Sequence, residues 1–165
     1  LTDWRTDQFG VLSVDGGSGD DLLVAHYGFS PYNGVWDYDW VSLDASDPNA
    51  VTTTTIGGVA RGTLTGVERL DVTATNRDDR IWGGIGADRI RGEMGDDVLR
   101  GGTGDDWLQG GIGSDTIDGG AGFDIASYRD IFAPVTANLS TGTAQSTSGQ
   151  GTQTQTHTDT LTLIE

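Results

Sequence analysis

The chain has 165 residues, 27 of them Gly, and only 35% apolar residues, which bounds it to one domain or one elongated module with a thin core. Its formal charge is −16, all nine basic residues are Arg and no Cys is present; this excludes a disulfide framework and argues against nucleic acid and anionic membrane as partners. Without cations such a chain is held open by self-repulsion.

The opening LTDWRTDQFG has neither the basic nor the apolar region of a signal peptide, and no stretch reaches the length of a membrane span. No membrane insertion by this segment is therefore expected. The first organised element is Gly16–Val24, GGSGDDLLV, where Gly16, Gly17 and Gly19 precede Asp21 and an apolar tail. Beyond it, Trp36-Asp-Tyr-Asp-Trp40 alternates aromatic and acidic residues. As a strand it puts Trp36, Tyr38 and Trp40 on one face, either packed against the rest of the module or open as a platform for sugar rings. Trp40–Leu43 and the β-branched Thr52–Thr55 read as strands, and Val67-Glu68 closes this first insert.

From Gly83 to Ser127 nine residues recur five times without a gap, in the pattern Gly-Gly-x-Gly-x-Asp-x-apolar-x. The blocks are GGIGADRIR (83–91), GEMGDDVLR (92–100), GGTGDDWLQ (101–109), GGIGSDTID (110–118) and GGAGFDIAS (119–127), preceded in phase by a degenerate ATNRDDRIW (74–82). Such constant phase argues against a disordered acidic linker. The glycines Gly83, Gly84, Gly86, Gly92, Gly95, Gly101, Gly102, Gly104, Gly110, Gly111, Gly113, Gly119, Gly120 and Gly122 let the backbone turn its carbonyls inward and approach an ion closely. Asp79, Asp88, Asp97, Asp106, Asp115 and Asp124, at the sixth position, add charged oxygen. An all-oxygen donor set of carbonyls and short carboxylates suits Ca2+, whereas Zn2+ would want the Cys and His that the array lacks. The longer arm of Glu overshoots a tight turn, in keeping with 22 Asp against 3 Glu. The first Asp of pairs such as Asp105-Asp106 reads as only adding negative field.

The eighth position is Ile81, Ile90, Leu99, Leu108 and Ile117, one inward aliphatic in each short x-apolar-x strand. A single repeat buries almost nothing, so the repeats must stack on one another to make a core. After the array, Asp118-GGAGFDIAS-Tyr128 repeats the surroundings of Asp15-GGSGDDLLVAH-Tyr27. A second insert then holds the strand-like Val135–Leu139, a Thr/Gln-rich stretch over Gly142–Thr160 that reads as strand or polar loop, and Ile164-Glu165, matching Val67-Glu68. The chain thus reads as one full unit and the first half of another, continuing into further units of the same polypeptide. Three segments are expected: a β-rich N-terminal one over 1–73 with an isolated repeat at 16–24, the array over 74–127, and a β-rich flank over 128–165.

Nothing assembles an enzyme, and none is expected. His26 and His157 lie far apart in different units, and the paired Asp residues that would suggest glycosidase chemistry are committed to metal. Asn138-Leu-Ser140 fits a glycosylation acceptor by chance.

The array resembles the RTX, or hemolysin-type, calcium-binding nonapeptide family. That resemblance implies an all-β fold, a right-handed parallel β-roll with two nonapeptides per turn and a Ca2+ between each loop and the loop one turn further along. On that geometry the ion-sharing pairs are Asp88 with Asp106, Asp97 with Asp115 and Asp106 with Asp124, giving at least three ions. Asp79 with Asp97 is a weaker pair, because Ala74, Thr75 and Arg77 replace its loop glycines. Asp21 is expected to ligate Ca2+ as well, its partner loop not being visible from spacing. The resemblance further implies a secreted or cell-surface location reached by type I export, and a non-catalytic module of a larger bacterial protein. Other readings are an accessory or carbohydrate-binding module of an extracellular enzyme acting on polysaccharide, lipid or protein, and a repeating unit of an adhesin or S-layer protein. The seventh and ninth positions point outward and gather Arg80, Trp82, Val98 and Arg100 on one face and Arg89, Arg91 and Trp107 on the other. These arginines either offset the Asp loops and support inserts that cover the Trp rings, or bind an acidic polysaccharide.

Overall fold

The computed structural model describes residues 14–15, 21–26, 41–44, 52–56, 59–129, 131, 133–150 and 153–164, with side chains for 21–24, 66–129, 131, 133–147 and 156–164. Every regular element among them is a strand. The first five are β1 (Val14–Asp15), β2 (Leu22–His26), β3 (Val41–Asp44), β4 (Thr52–Ile56) and β5 (Val59–Thr65). Strand β6 (Arg69–Thr73) leads into the array, which contributes β7 (Arg80–Trp82), β8 (Arg89–Met94), β9 (Val98–Thr103), β10 (Trp107–Ile112), β11 (Thr116–Ala121) and β12 (Ile125–Ala126). The second insert gives β13 (Val135–Asn138), β14 (Thr143–Gln150) and β15 (Gln153–Thr162). Among the described residues no helix is long and apolar enough to cross a membrane.

The strands form two sheets, in the order β1-β5-β4-β3-β7-β9-β11-β15-β14-β13 and β12-β10-β8-β6-β2. Successive array strands alternate between them, so each sheet receives every second nonapeptide. The registers follow: Ile81 pairs with Leu99, and Leu99 with Ile117, in the first sheet, while Val72 pairs with Ile90, and Ile90 with Leu108, in the second. All of these strands run parallel, giving the expected parallel β-roll with two nonapeptides per turn. Strands β8 to β11 are six residues long rather than three, because the first three positions of the next repeat continue the ladder, as in Gly120 opposite Gly102.

The core is the file of eighth-position aliphatics meeting between the sheets: Ile81, Ile90, Leu99, Leu108 and Ile117 are fully buried. Each contributes about 1.5–3 kcal/mol on burial. Leu23, Leu70 and Val72 extend the file at one end and Leu161 at the other. The isolated repeat therefore joins the roll: Leu23 at its eighth position pairs with Leu70, one strand away from the array. Strand β6 takes up a two-residue slip, since Leu70 faces Leu23 while Val72 faces Ile90. Each insert is an antiparallel three-stranded layer spliced into the first sheet, β3-β4-β5 between β1 and β7 and β13-β14-β15 beyond β11. The polar stretch after Gly142 is thus the β14-β15 hairpin.

Candidate metal centre

The six sixth-position carboxylates, Asp79, Asp88, Asp97, Asp106, Asp115 and Asp124, are all at most 3% exposed. With repeats alternating between sheets, their loops stack in two columns, one along each edge of the roll. In one column the Asp88 N–H donates to Asp106 Oδ1 at 2.7 Å and the Asp106 N–H to Asp124 Oδ1 at 3.0 Å. In the other, the Asp79 N–H donates to Asp97 Oδ1 at 2.8 Å and the Asp97 N–H to Asp115 Oδ1 at 3.0 Å. These are the four pairs expected at a spacing of two repeats.

Each first-position glycine leaves room beside its own loop's carboxylate. A Cβ on Gly101 would collide with Asp106 Oδ2 and crowd the Gly119 carbonyl, and one on Gly92 would meet Asp97 Oδ2 and the Gly110 carbonyl. Carboxylate and carbonyl oxygens from successive turns therefore converge on one small space. At the second position Gly102, Gly111 and Gly120 hold φ of 116°, 115° and 103°, which only glycine adopts without strain. Glu93 occupies that position in its block and is held at φ 81°. Gly83, Gly84, Gly86, Gly95, Gly104, Gly110, Gly113, Gly119 and Gly122 lie in the same stacked loops.

In each column the second carboxylate oxygen is the chemically telling atom. Oδ2 of Asp97, Asp106 and Asp115 is buried with no hydrogen-bond donor. Burial, which disfavours the charged form, pushes Asp97 up to about 8, Asp88 and Asp115 to about 7 and Asp106 to about 6, with a neighbouring Asp of the column adding to each. A file of buried like charges with orphaned oxygens wants a cation. Among the described residues no three His, Cys, Asp or Glu side chains converge as in a carboxylate-rich or imidazole site. The donors are instead one carboxylate per loop with backbone carbonyls, a hard-oxygen set of the kind Ca2+ takes. These residues fit that ion.

The column ends are built differently. Thr75 donates its N–H to Asp79 Oδ2 at 2.7 Å and its hydroxyl to both oxygens of the same carboxylate, so this glycine-poor loop supplies neutral donors. At the other end the Asp115 N–H donates to Asp159 Oδ1 at 2.9 Å, and Tyr128 donates its hydroxyl to Asp159 Oδ2 at 2.8 Å. Asp159 takes the place of a sixth-position Asp, although no nonapeptide surrounds it. The signal was there: Asp159-Thr-Leu161 repeats Asp115-Thr-Ile117.

At the isolated repeat, the Asp21 N–H donates to Glu68 Oε2 at 2.9 Å, and the Asp21 carbonyl accepts from Glu68 and Arg69 N–H. Glu68 thus supplies the carboxylate that spacing did not reveal. Asp21 Oδ2 is buried without a donor, as in the array. Gly16, Gly17 and Gly19 lie outside the described residues, as do Trp36, Tyr38 and Trp40.

One sequence reading is corrected by the contacts. The fifth-position Asp residues do more than add field: Asp78 Oδ1 accepts from the Asp96 N–H at 2.9 Å, Asp96 Oδ1 from Ser114 at 2.8 Å and Asp105 Oδ1 from Phe123 at 3.0 Å. They form an exposed ladder between turns. On the outer face the Trp107 ring is taken by arginines, with the Arg89 guanidinium 4.6 Å and the Arg91 guanidinium 5.3 Å from its centroid. Arg91 also lies 3.7 Å from Asp71, and Arg100 lies 5.9 Å from the Trp82 ring.

In comparison with known families, residues 72–99 and 91–126 match the RTX calcium-binding nonapeptide repeat, in four copies. The comparison with curated proteins gave no match.

Proposed function

Because residues 72–126 are RTX calcium-binding nonapeptide repeats, we propose that the chain is a module that folds when Ca2+ fills the two loop columns outside the cell. It is the non-catalytic part of a larger secreted or cell-surface bacterial protein and stands beside further units of its kind. The observation that carries this reading is the buried, donorless Oδ2 of Asp97, Asp106 and Asp115, in loops whose glycine carbonyls face the same space. Three ions lie between Asp88 and Asp106, Asp106 and Asp124, and Asp97 and Asp115, and Asp21 with Glu68 holds another. Each ion that binds only the folded chain adds about 2.7 kcal/mol when free Ca2+ is 100-fold above Kd. Cytosolic calcium leaves the acidic chain open and exportable, and the millimolar calcium outside closes it. Circular dichroism through a calcium titration at about pH 8 tests this: a chain equally β-rich in excess chelator at that pH overturns it.

An acidic polysaccharide remains a second partner through the face that carries Arg89 and Arg91, where the Arg89 side chain is exposed. With guanidinium groups over the Trp107 ring, recognition rests on charge pairing rather than on sugar stacking. Salt-insensitive binding, or none, to uronate-rich polymer removes that partner.

A further inference from the structure

The two inserts are one structure used twice. The first runs β1-β5-β4-β3 across the sheet and the second β11-β15-β14-β13. Asp15 faces Thr65 in the first and Asp118 faces Thr162 in the second, each just ahead of a Gly-Gly loop. Thr63-Leu-Thr-Gly-Val-Glu68 corresponds to Thr160-Leu-Thr-Leu-Ile-Glu165. Even the backbone repeats, with Gly66 at φ 62° and Leu163 at φ 50°. Val41-Ser-Leu-Asp44 of β3 likewise corresponds to Val135-Thr-Ala-Asn138 of β13.

In the first copy the next strands are in place. The outer side of β3 carries β7, with Leu43 opposite Ile81, and β2 carries β6, with Leu23 opposite Leu70. In the second copy β13 and β12 are the last strands of their sheets among the described residues. The exposure differs accordingly. Val67 is 2% exposed while its counterpart Ile164 is only partly buried, and Leu22 is partly buried while its counterpart Ile125 is 55% exposed. Phe123, Leu139 and Leu163, large apolar residues of the same last turn, are exposed as well. Two open strand edges rimmed by apolar side chains form a template for strand addition.

We propose that the outer edges of β12 and β13 together form one docking surface. Its occupant is a segment with the chemistry of Arg69–Trp82, the entry strands of a further calcium-binding array in the same polypeptide. A second copy of this chain does not supply that segment, because its own β6 and β7 are already paired. The docked segment pairs in parallel, its counterpart of Leu70 against Ala126 and its counterpart of Ile81 against Ala137. The roll then continues, and a module of fixed ends becomes an extensible one.

This deepens the reading of the chain as part of a larger repeat protein and is tested by joining a copy of residues 69–118 directly after Glu165. In saturating Ca2+ the amides of Ile125–Ala126 and Val135–Asn138 should exchange at least ~10-fold more slowly than in the parent chain. Leu70→Asp, Val72→Asp and Ile81→Asp made in the appended copy alone should return them to parent rates. Exchange unchanged by the appended copy, whether that copy folds by itself or stays open, overturns the proposal. So does a parent chain whose edge amides are already protected in a concentration-dependent oligomer, since the occupant is then a second molecule. Circular dichroism of the same parent samples with chelator at about pH 8 separates the two readings: a parent folded there without calcium sinks the calcium reading and still leaves edge protection to decide this one.

Discussion

Tyr128 donates its hydroxyl to Asp159 Oδ2 at 2.8 Å across 31 residues of sequence, and with it the second Asp column ends on a neutral donor instead of an orphaned oxygen. Burial pushes the Asp159 carboxyl up, the Asp115 N–H and the Tyr128 hydroxyl opposing. The same burial, with that hydrogen bond, holds the Tyr128 hydroxyl protonated. Thr75 does the matching work on Asp79 at the other end. Only the middle of this column, Asp97 and Asp115, is left wanting a cation. Tyr128→Phe should therefore destabilise the calcium-loaded chain by about 1–3 kcal/mol, the cost of stranding a buried acceptor. A urea midpoint equal to that of the parent, at unchanged slope, shows that the hydroxyl does not hold the column end.

Position within the loop should separate two kinds of Asp. Asp106→Ala removes an oxygen that borders the spaces above and below it and should raise the calcium midpoint several-fold. Asp96→Ala loses one exposed hydrogen bond, the one its Oδ1 accepts from the Ser114 N–H, and keeps the bond from its own backbone N–H to Asp78, so the midpoint should barely move. Its cost should appear as a loss of about 0.5–1.5 kcal/mol in thermal stability. Calcium titrations of both variants check this, and equal shifts in midpoint mean that the ligands lie elsewhere in the loop.

What was legible in the sequence was whatever kept phase. Ile81, Ile90, Leu99, Leu108 and Ile117 recur every nine residues, and their burial followed from that, whereas the stacking of Asp pairs two repeats apart was what the family resemblance implied, since the period alone does not set the number of repeats per turn. What escaped was whatever lay across an insert. Glu68 lies 47 residues from Asp21, and Asp159 lies 44 from Asp115, where array partners lie 18 apart. An insert lengthens the loop at only logarithmic entropic cost, so spacing there carries no register. The fifth-position ladder escaped for a different reason: an Asp beside an Asp looks redundant until one carboxylate is seen to turn outward and cap the next loop.

Glu93 is the one non-glycine at a left-handed second position of the array, and its side chain is exposed. A non-glycine residue in that region costs roughly 1–2 kcal/mol, of which glycine's greater freedom in the unfolded chain returns part. Glu93→Gly should stabilise the folded chain by about 0.5–1 kcal/mol, also removing one charge from an acidic edge. The reverse change, Gly102→Ala, places a Cβ against the Gly84 carbonyl and should cost more than the first gains. Denaturant midpoints in saturating Ca2+ decide it. A Glu93→Gly variant weaker than the parent would mean that the Glu93 carboxylate itself assists the ion.

Acidity should act in opposite directions on the ion-free and the calcium-bound chain. Asp88, Asp97, Asp106 and Asp115 rise from 3.8 to between about 6 and about 8 in the ion-free fold, first because they are buried. A carboxyl raised on folding leaves the folded state intact while it is protonated, below about pH 4, and destabilises it progressively as pH climbs through the folded value. In excess chelator the roll should therefore hold best near pH 4 and open by pH 8. Calcium needs the same groups deprotonated, so protons compete with it. At pH 8 the ion-free chain is open and its carboxylates are already ionised, so binding there releases no proton from them. As pH falls toward 5 the protonated ion-free roll becomes the competing state, the calcium midpoint should rise and binding should release protons into an unbuffered solution. Circular dichroism in chelator across pH, paired with calcium titrations at pH 5, 6 and 8, reads both halves. A midpoint that does not move between pH 5 and 8 would show that the ions do not sit on these buried carboxylates.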